Sequence, residues 1–300
     1  MRVARNLAGV CVVRNARDLI GLVCGHYLRI GLGHVRFIDD GSSDGTYELL
    51  SRLARKEKRI SVSRVSNAEF RQAELISEVA NELLRSGFSI ILPFDSDEFW
   101  NVSGAVLEKR YARSPQIMFR GQWINFVPSE RATNPQQLHL LCIKHSAPIL
   151  DDADEDTITT FKRPFVCFTT WKIGFKAVSP VELGVGQHAL NKGPKECDSI
   201  RYQIFHLPFR NRSELIKRAL DHEPRRAPLR NSPHDSWQSH FHREAVLAGR
   251  TDDLWRANSA DGNGLLNCNG ESIALNRDHR LQTIILKSYA HVALRYRVLL

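Results

Sequence analysis

The chain has 300 residues, 42% hydrophobic and 25% charged, which is enough material for a sizeable core and suits one large α/β domain or two smaller ones. No apolar run approaches the roughly 20 residues that span a bilayer. A formal net charge of +9 and a pI near 9.4 point to anionic partners: nucleic acid, lipid headgroups or phosphorylated small molecules. The Lys and Arg are spread along the chain, which disfavours a nucleic-acid groove. Six cysteines (Cys11, Cys24, Cys142, Cys167, Cys197, Cys268) lack any C-x-x-C spacing and read as reduced core thiols, not as a zinc or disulfide framework.

In chain order, "MRVARNLAGVCVVRN" mimics a leader peptide, but Arg14 and Asn15 end its apolar run early. "AGVCVV" (8–13) reads as a strand buried on both faces, and the expected location is cytoplasmic. "RDLIGLVCGHYLRIG" places Leu19, Ile20, Val23, Tyr27 and Ile30 at helical spacing, with Gly31 and Gly33 as the stop. "VRFID" (35–39) is a second strand. "GSSDGTYELLSRLARKEK" is a helix with Ser43 or Asp44 as its N-cap, and "ISVSRV" (60–65) a third strand. "RQAELISEVANELLRSG" carries an apolar stripe closed by Gly87, and residues 88–94 form a fourth strand. Strand and helix alternating in this way predict a parallel sheet covered on both faces.

After Trp100 the alternation stops. "PQIMFRGQWINFVPS", "FVCFTTWKIGFKAV", "GVGQHAL" and "RYQIFHLPF" read as strands of a mixed sheet. "DDADEDTITTFKRP" reads as an acidic loop. From Arg212 helices dominate, with Ser213 capping "RSELIKRALDH", and "LQTIILKSYAHVALRYRVLL" ends a helical tail. The expected organisation is a domain over 1–220, its nucleotide-binding half at 1–100 and its acceptor half at 101–220, with a helical extension over 221–300 packed on it.

Two constellations carry chemistry. In an open parallel sheet, ligands bind outside the carboxyl ends of the strands. "FIDDGSSDGT" puts Asp39 and Asp40 at such an end, where a carboxylate can accept hydrogen bonds from a ribose or a base; plain turn chemistry is the competing reading. Asp40, Ser42, Asp44 and Gly45 also start like a calcium loop, but Ser51 stands where that loop needs Glu. "SIILPFDSDEFW" ends the fourth strand on Asp95, Asp97 and Glu98. Alternation in an extended segment would aim Asp95 and Asp97 to one side, where two hard carboxylates suit Mg²⁺ or Mn²⁺ shared with a diphosphate. No P-loop, G-x-S-x-G or G-x-G-x-x-G occurs, against the common NTPase, hydrolase and dinucleotide classes. His234, His240 and His242 in "HDSWQSHFH" read as a surface loop without zinc-site spacing.

Together, "VCVVRNARDLI", "HYLRIGLGHVRFIDDGSSDGT" and "FDSDEFW" resemble the family 2-like glycosyltransferases of the GT-A fold, in the branch reading "DNGSSDGT…DADEF". The resemblance continues more faintly through "GQWINFVPS", "VGQHAL" and "FHLPFRNRSELIKRAL" and covers roughly the first 220 residues. It implies a metal-dependent, inverting transfer of a sugar, hexosyl in type, from a nucleotide-sugar donor to a hydroxyl of a saccharide or lipid-linked acceptor. Carried over by position, Asp39, Asp40, Gln72, Asp95 and Arg212 would bind the donor, and Asp95, Asp97 and His206 would hold Mn²⁺ or Mg²⁺. Glu98, Glu182 and His188 are the candidate general bases. Ser213 and Lys217 match the basic segment beside Arg212. One departure is Ala16, where the family usually has Glu; Asp18 would have to substitute.

A nucleotidyltransferase would need a Gly-rich loop and Lys after the first strand, which are missing. The alternative function is a degenerate, non-catalytic saccharide- or partner-binding domain, which Ala16 favours. The basic balance and the amphipathic tail allow peripheral contact with a membrane's inner face, against simple packing of that helix on the core.

Overall fold

The computed structural model describes residues 3–65, 71–132, 143–160, 162–178, 180–226 and 237–297. The first half is the predicted alternation: β1 (Ala4–Val13), α1 (Ile20–Arg29), β2 (Leu32–Asp40), α2 (Thr46–Lys56), β3 (Ile60–Val65), α3 (Gln72–Arg85) and β4 (Ile90–Pro93). These strands pair in parallel in the order β3-β2-β1-β4. The side-chain period of two sorts β1 between two cores. Leu7, Cys11 and Val13 face α1, α2 and the C-terminal helix, while Ala8 and Val10 face Leu75, Ile76 and Val79 of α3. Helix α3 ends as its sequence predicts: Gly87 at φ +94° lets its own N–H and that of Phe88 bond back to Leu84 and Leu83.

After β4 come β5 (Glu98–Trp100), α4 (Gly104–Tyr111), β6 (Ile117–Val127), β7 (His145–Ser146), α5 (Glu155–Thr159), β8 (Trp171–Lys176), β9 (Glu182–Leu183), β10 (Leu190–Lys192) and β11 (Cys197–His206). Then follow α6 (Arg212–Arg226), α7 (Trp237–Leu247), α8 (Thr251–Arg256), the hairpin β12 (Leu265–Cys268) and β13 (Glu271–Ala274), β14 (Asn276–Arg277) and α9 (Arg280–Tyr296). Antiparallel β8 joins β4 to β6, β11 runs parallel to β6, and β5 pairs antiparallel with the end of β11. The fold is therefore α/β, with a mostly parallel sheet, a mixed second half and C-terminal helices, as expected.

Several local expectations need correction. Helix α2 starts after Gly45, whose φ of +91° only glycine adopts readily, and neither Ser43 nor Asp44 is its N-cap. Asp44 sits one residue earlier and accepts from Thr46 N and Oγ1. Helix α6 is capped by Asn211, whose Oδ1 accepts from Glu214 N, and not by Ser213. Helix α4 and the hairpin β12–β13 lie where the sequence suggested neither, and the acidic loop contains α5. Helix α9 buries Leu281, Ile285, Val292 and Tyr296 in the main core, and the Tyr296 hydroxyl donates to Glu57. No described helix is long and apolar enough to cross a membrane. Cys11, Cys24, Cys167, Cys197 and Cys268 are free thiols; Cys142 and His234 lie outside the described residues.

Candidate active site

The carboxyl ends of β1, β2 and β4 open onto a cavity of about 210 Å³. One wall is local to the first half: Arg14 and Asn15 after β1, Asp40 closing β2, Gln72 opening α3, and Asp95 and Asp97 after β4. The opposite wall is assembled from distant chain: Trp123 on β6, His206 ending β11, Arg210 just after it, Arg218 on α6 and His242 on α7.

Asp95 and Asp97 do not share a side. The segment turns between them, with Glu98 N donating back to the Asp95 carbonyl (3.1 Å), so the alternation expected of an extended run is broken. Asp95 turns to α3 and β8. Its Oδ1 accepts from Gln72 Nε2 (2.7 Å) and Gln187 Nε2 (3.0 Å), and its Oδ2 from Lys172 Nζ (2.7 Å). Burial would raise this carboxyl, but the Lys172 ammonium and the two amides outweigh it and hold Asp95 below the usual carboxylate range. Asp97 turns to the other wall: Arg218 donates to its Oδ2 (3.2 Å), and His206 Nε2 lies 3.8 Å from its Oδ1.

Glu98 points into the protein. It is fully buried; Oε1 accepts from Trp123 Nε1 (2.8 Å), Oε2 from Asp95 N (3.0 Å), and Lys172 Nζ lies 3.5 Å away. Burial pushes its carboxyl up to about 8, and the Asp95 and Asp97 charges add to this, while the Lys172 ammonium and the Asp95 N–H pull the other way. Its backbone is clamped as well, with the Tyr27 hydroxyl donating to its carbonyl. His206 is stacked on Trp123 (centroids 3.9 Å) and bonded through Nδ1 to Asn125 Oδ1 (2.7 Å); burial lowers it to about 4, so it is neutral near pH 7.

At the end of β2, Asp39 is wholly buried behind the cavity wall. Its Oδ2 accepts from Ser42 N (3.2 Å) and pairs with Arg64 Nε (3.3 Å), leaving Oδ1 as a buried acceptor without a partner among the described residues. Burial raises its pKa. Arg64 in turn lies over the Tyr47 ring, 4.9 Å from its centroid. Arg14 Nη1 donates to the carbonyls of Asp40 and Gly41 and its Nε to Asp221, stitching β1, β2 and α6 together. Ala16 is buried, its N–H bonded to Thr46 Oγ1. Asp18, the expected substitute for the missing Glu, is held by buried Arg210, which also reaches Glu214 (3.7 Å).

The structure thus brings Asp40, Gln72, Asp95, Asp97 and His206 to one cavity and leaves the rest outside it. Glu98 is sealed behind the wall. Glu182 is exposed on β9, near Asn191. His188 lies beyond β8, bonded through Nδ1 to the Trp171 carbonyl. Arg212 pairs on the surface with Asp252. The ligand set Asp95, Asp97 and His206 does not converge either: among the described residues no three His, Cys, Asp or Glu side chains are grouped to hold a cation, and both aspartates are engaged by the chain's own cations. The residues as arranged do not fit a resident metal.

Sequence reasoning missed Lys172, Gln187, Trp123, Arg210, Arg218 and His242. Lys172 was the most legible of these, as a lone charge in the strand "WKIGF" that pairs on both sides. His242 lay in the cluster read as a loop; α7 instead carries it to the cavity, against Phe165 and Phe209. Its Nε2 is buried without a partner among the described residues, and burial holds it neutral, with its pKa lowered to about 3.

No family model and no curated protein matches this sequence. Among solved structures the chain is similar to the mannosyltransferase PcManGT from Pyrobaculum calidifontis, in complex with GDP-Man and Mn²⁺, at 15% identity over 98% of this chain and 75% of that one, TM-score 0.36. It is also similar to residues 1–349 of S. aureus TarS (11% identity, 97% and 89% covered, TM-score 0.32) and to glucosyl-3-phosphoglycerate synthase from Mycobacterium tuberculosis (18% identity, 43% and 46% covered, TM-score 0.27). The chain spans less than two thirds of several such structures, among them 41% of a mycobacterial protein and 61% of a putative glucose-1-phosphate thymidylyltransferase from Bacillus anthracis. At these identities and TM-scores no functional weight attaches to the likeness.

Proposed function

We propose that the chain transfers a glycosyl group from a nucleoside-diphosphate sugar to a hydroxyl acceptor. The observation that carries this reading is the cavity at the strand ends, where carboxylates able to bind sugar and ribose hydroxyls (Asp40, Asp95, Asp97) stand among guanidiniums able to meet phosphate oxygens (Arg14, Arg218). In this reading β1 to β4 hold the nucleotide. The later segments, whose Trp123, Phe165 and Phe209 line the cavity, hold the acceptor.

For an inverting displacement, the acceptor oxygen bonds to the anomeric carbon as the bond to the diphosphate breaks. The acceptor proton then passes to a base. Glu98 cannot take it, since both its oxygens are engaged and it is sealed from the cavity. Asp97, His206 and His242 line the cavity and are the groups positioned to do so. The developing diphosphate charge needs cationic stabilisation.

The test is a thermal-shift screen of UDP-, GDP-, ADP- and dTDP-sugars followed by product analysis, with Asp97→Asn as the control. A donor should raise Tm, and the variant should lose roughly 100-fold or more in transfer, as for a removed transition-state contact, while its unliganded Tm stays near wild type. No stabilisation by any nucleotide sugar would end this reading. A non-catalytic binding domain is the second reading, favoured by Ala16 and by Asp18 being locked to Arg210. It predicts donor binding without transfer by wild type.

A further inference from the structure

Resting on the nucleotide reading above, we propose that the acid pair Asp95/Asp97 is neutralised by the chain's own cations, Lys172 and Arg218, and that a nucleoside diphosphate binds here without a divalent ion.

The donor arithmetic comes first. An ionised carboxylate offers about four lone-pair sites. Asp95 has three of them taken, by Gln72, Gln187 and Lys172. A cation of the Mg²⁺ or Mn²⁺ type needs carboxylate oxygens at about 2.1 Å, and the amide and ammonium donors point at those same oxygens. An incoming dication on Asp95 would also face the Lys172 ammonium at close range. That ammonium has nowhere to go. Lys172 is 3% exposed, it lies under the Trp123 ring (5.5 Å to the centroid), and its strand is paired to β6 on one side and β4 on the other. Leaving Asp95 would strand a buried cation beside Glu98 alone.

Lys172 therefore serves as a fixed positive charge that balances Asp95, with Glu98 Oε1 3.5 Å away. It does not line the cavity, so it is a positioning residue. Arg218 is placed differently. Its side chain is 35% exposed at the cavity wall, and its bonds to Asp97 Oδ2 and the Pro208 carbonyl both leave from Nη1. A planar guanidinium in that position suits bidentate contact with diphosphate oxygens through its other edge. Arg218 thus supplies to the leaving group the charge that a metal supplies elsewhere.

The test measures Mn²⁺ uptake by electron paramagnetic resonance and UDP and GDP binding by calorimetry, in EDTA and in Mn²⁺. Wild type should take up no Mn²⁺ at the acid pair, and its nucleotide Kd should differ by less than about threefold between the two media, far below one decade in affinity. Lys172→Met should gain Mn²⁺ uptake or a Mn²⁺ requirement, because it frees Asp95. Should that variant not fold, Arg218→Gln reports alone: a Kd about tenfold weaker in EDTA, read at a temperature where the variant is still folded.

Mn²⁺ uptake by wild type that disappears in Asp97→Asn overturns the proposal, as does a nucleotide Kd at least tenfold tighter in Mn²⁺. Uptake unaffected by Asp97→Asn lies elsewhere on the chain and leaves it standing. Absence of nucleotide binding in both media ends the glycosyltransferase reading and the nucleotide part of this one, while the Mn²⁺ measurement on the free protein still decides the charge balance.

Discussion

Strands β1 to β4 deliver Asp40, Asp95 and Asp97 to the cavity by a local rule, whereas the side chains that face those acids arrive by pairings far apart in sequence. In the first half a strand ends, the chain turns into a helix, and whatever polar residue stands at the turn is presented at the sheet edge. In the second half Lys172 depends on antiparallel pairing with β6, and Arg218 and His242 reach the cavity from α6 and α7. The acids are placed by neighbours within a few residues; their partners are placed by the tertiary fold. The consequence is a site whose charge sign differs between the two halves, and whose balance exists only when both are in place.

The largest test of that dependence is the tie between Asp18, in the loop before α1, and Arg210, after β11. Both are almost fully buried, with side chains 8% and 3% exposed. Arg210→Met leaves the buried carboxylate of Asp18 and the half-buried one of Glu214 without their cation, and the expected cost is about 3–5 kcal/mol. Urea unfolding at neutral pH measures it. Adding Asp18→Asn should recover a good part of the loss, because the stranded charge is then gone. If Arg210→Met alone is within about 1 kcal/mol of wild type, the two halves are not joined by this pair.

A smaller effect is expected where α1 meets α9. The Cβ of an alanine at position 25 would lie 2.5 Å from the Ser288 carbonyl oxygen and 2.9 Å from Val292 Cγ2, a contact that backbone on one side cannot relieve. Gly25→Ala should therefore cost about 1–3 kcal/mol by overpacking. Gly262→Ala, whose Cβ would meet nothing within 4 Å among the described residues, should cost less and serves as the control. Equal Tm losses in the two would place the strain outside the α1–α9 contact.

How much of this was legible follows from the same division. The first four strands could be read because apolar runs and helical stripes alternate, and a period needs only adjacent residues to be recognised. Asp40 and Asp95 followed from position at those ends and Gln72 from the family resemblance, whereas Asp39, expected beside them, lies buried behind the wall. Asp97 was found, but its direction was not, because a turn at Ser96 replaced the extended geometry that alternation assumes. Glu98 looked like a base by adjacency to the acids; the donors that occupy its oxygens come from Trp123 and from the backbone of Asp95, and only the first is remote. Helix α4 was missed because its eight residues are too few to show a period. His242 was read as loop because the histidines around it suggested a metal pattern that failed, and nothing local pointed to Phe165 or Phe209.

The smallest expected effect contrasts one buried histidine from each half. His26 on α1 bonds through Nε2 to the Trp100 carbonyl, and burial lowers it to about 3; His242 is likewise lowered to about 3, by burial first and then by Arg218. Both are neutral in the folded protein and gain a proton on unfolding near the ordinary value of about 6.5. The unfolded state therefore binds more protons below that value, so stability is full above about pH 6.5 and falls as the pH drops toward the folded values. At pH 5.5 each histidine should withdraw about 1.4 kcal/mol relative to pH 7.5. Replacing either by Gln should remove that share of the slope in urea titrations at the two pH values. The halves part company when UDP is added. His242 lines the cavity, so a diphosphate there raises its pKa and shrinks its share, whereas His26 is sealed in the core and its share should not move. A His26 share that changes with UDP would mean that the core beneath α1 senses the cavity directly, and that the two halves are less separate than their construction implies.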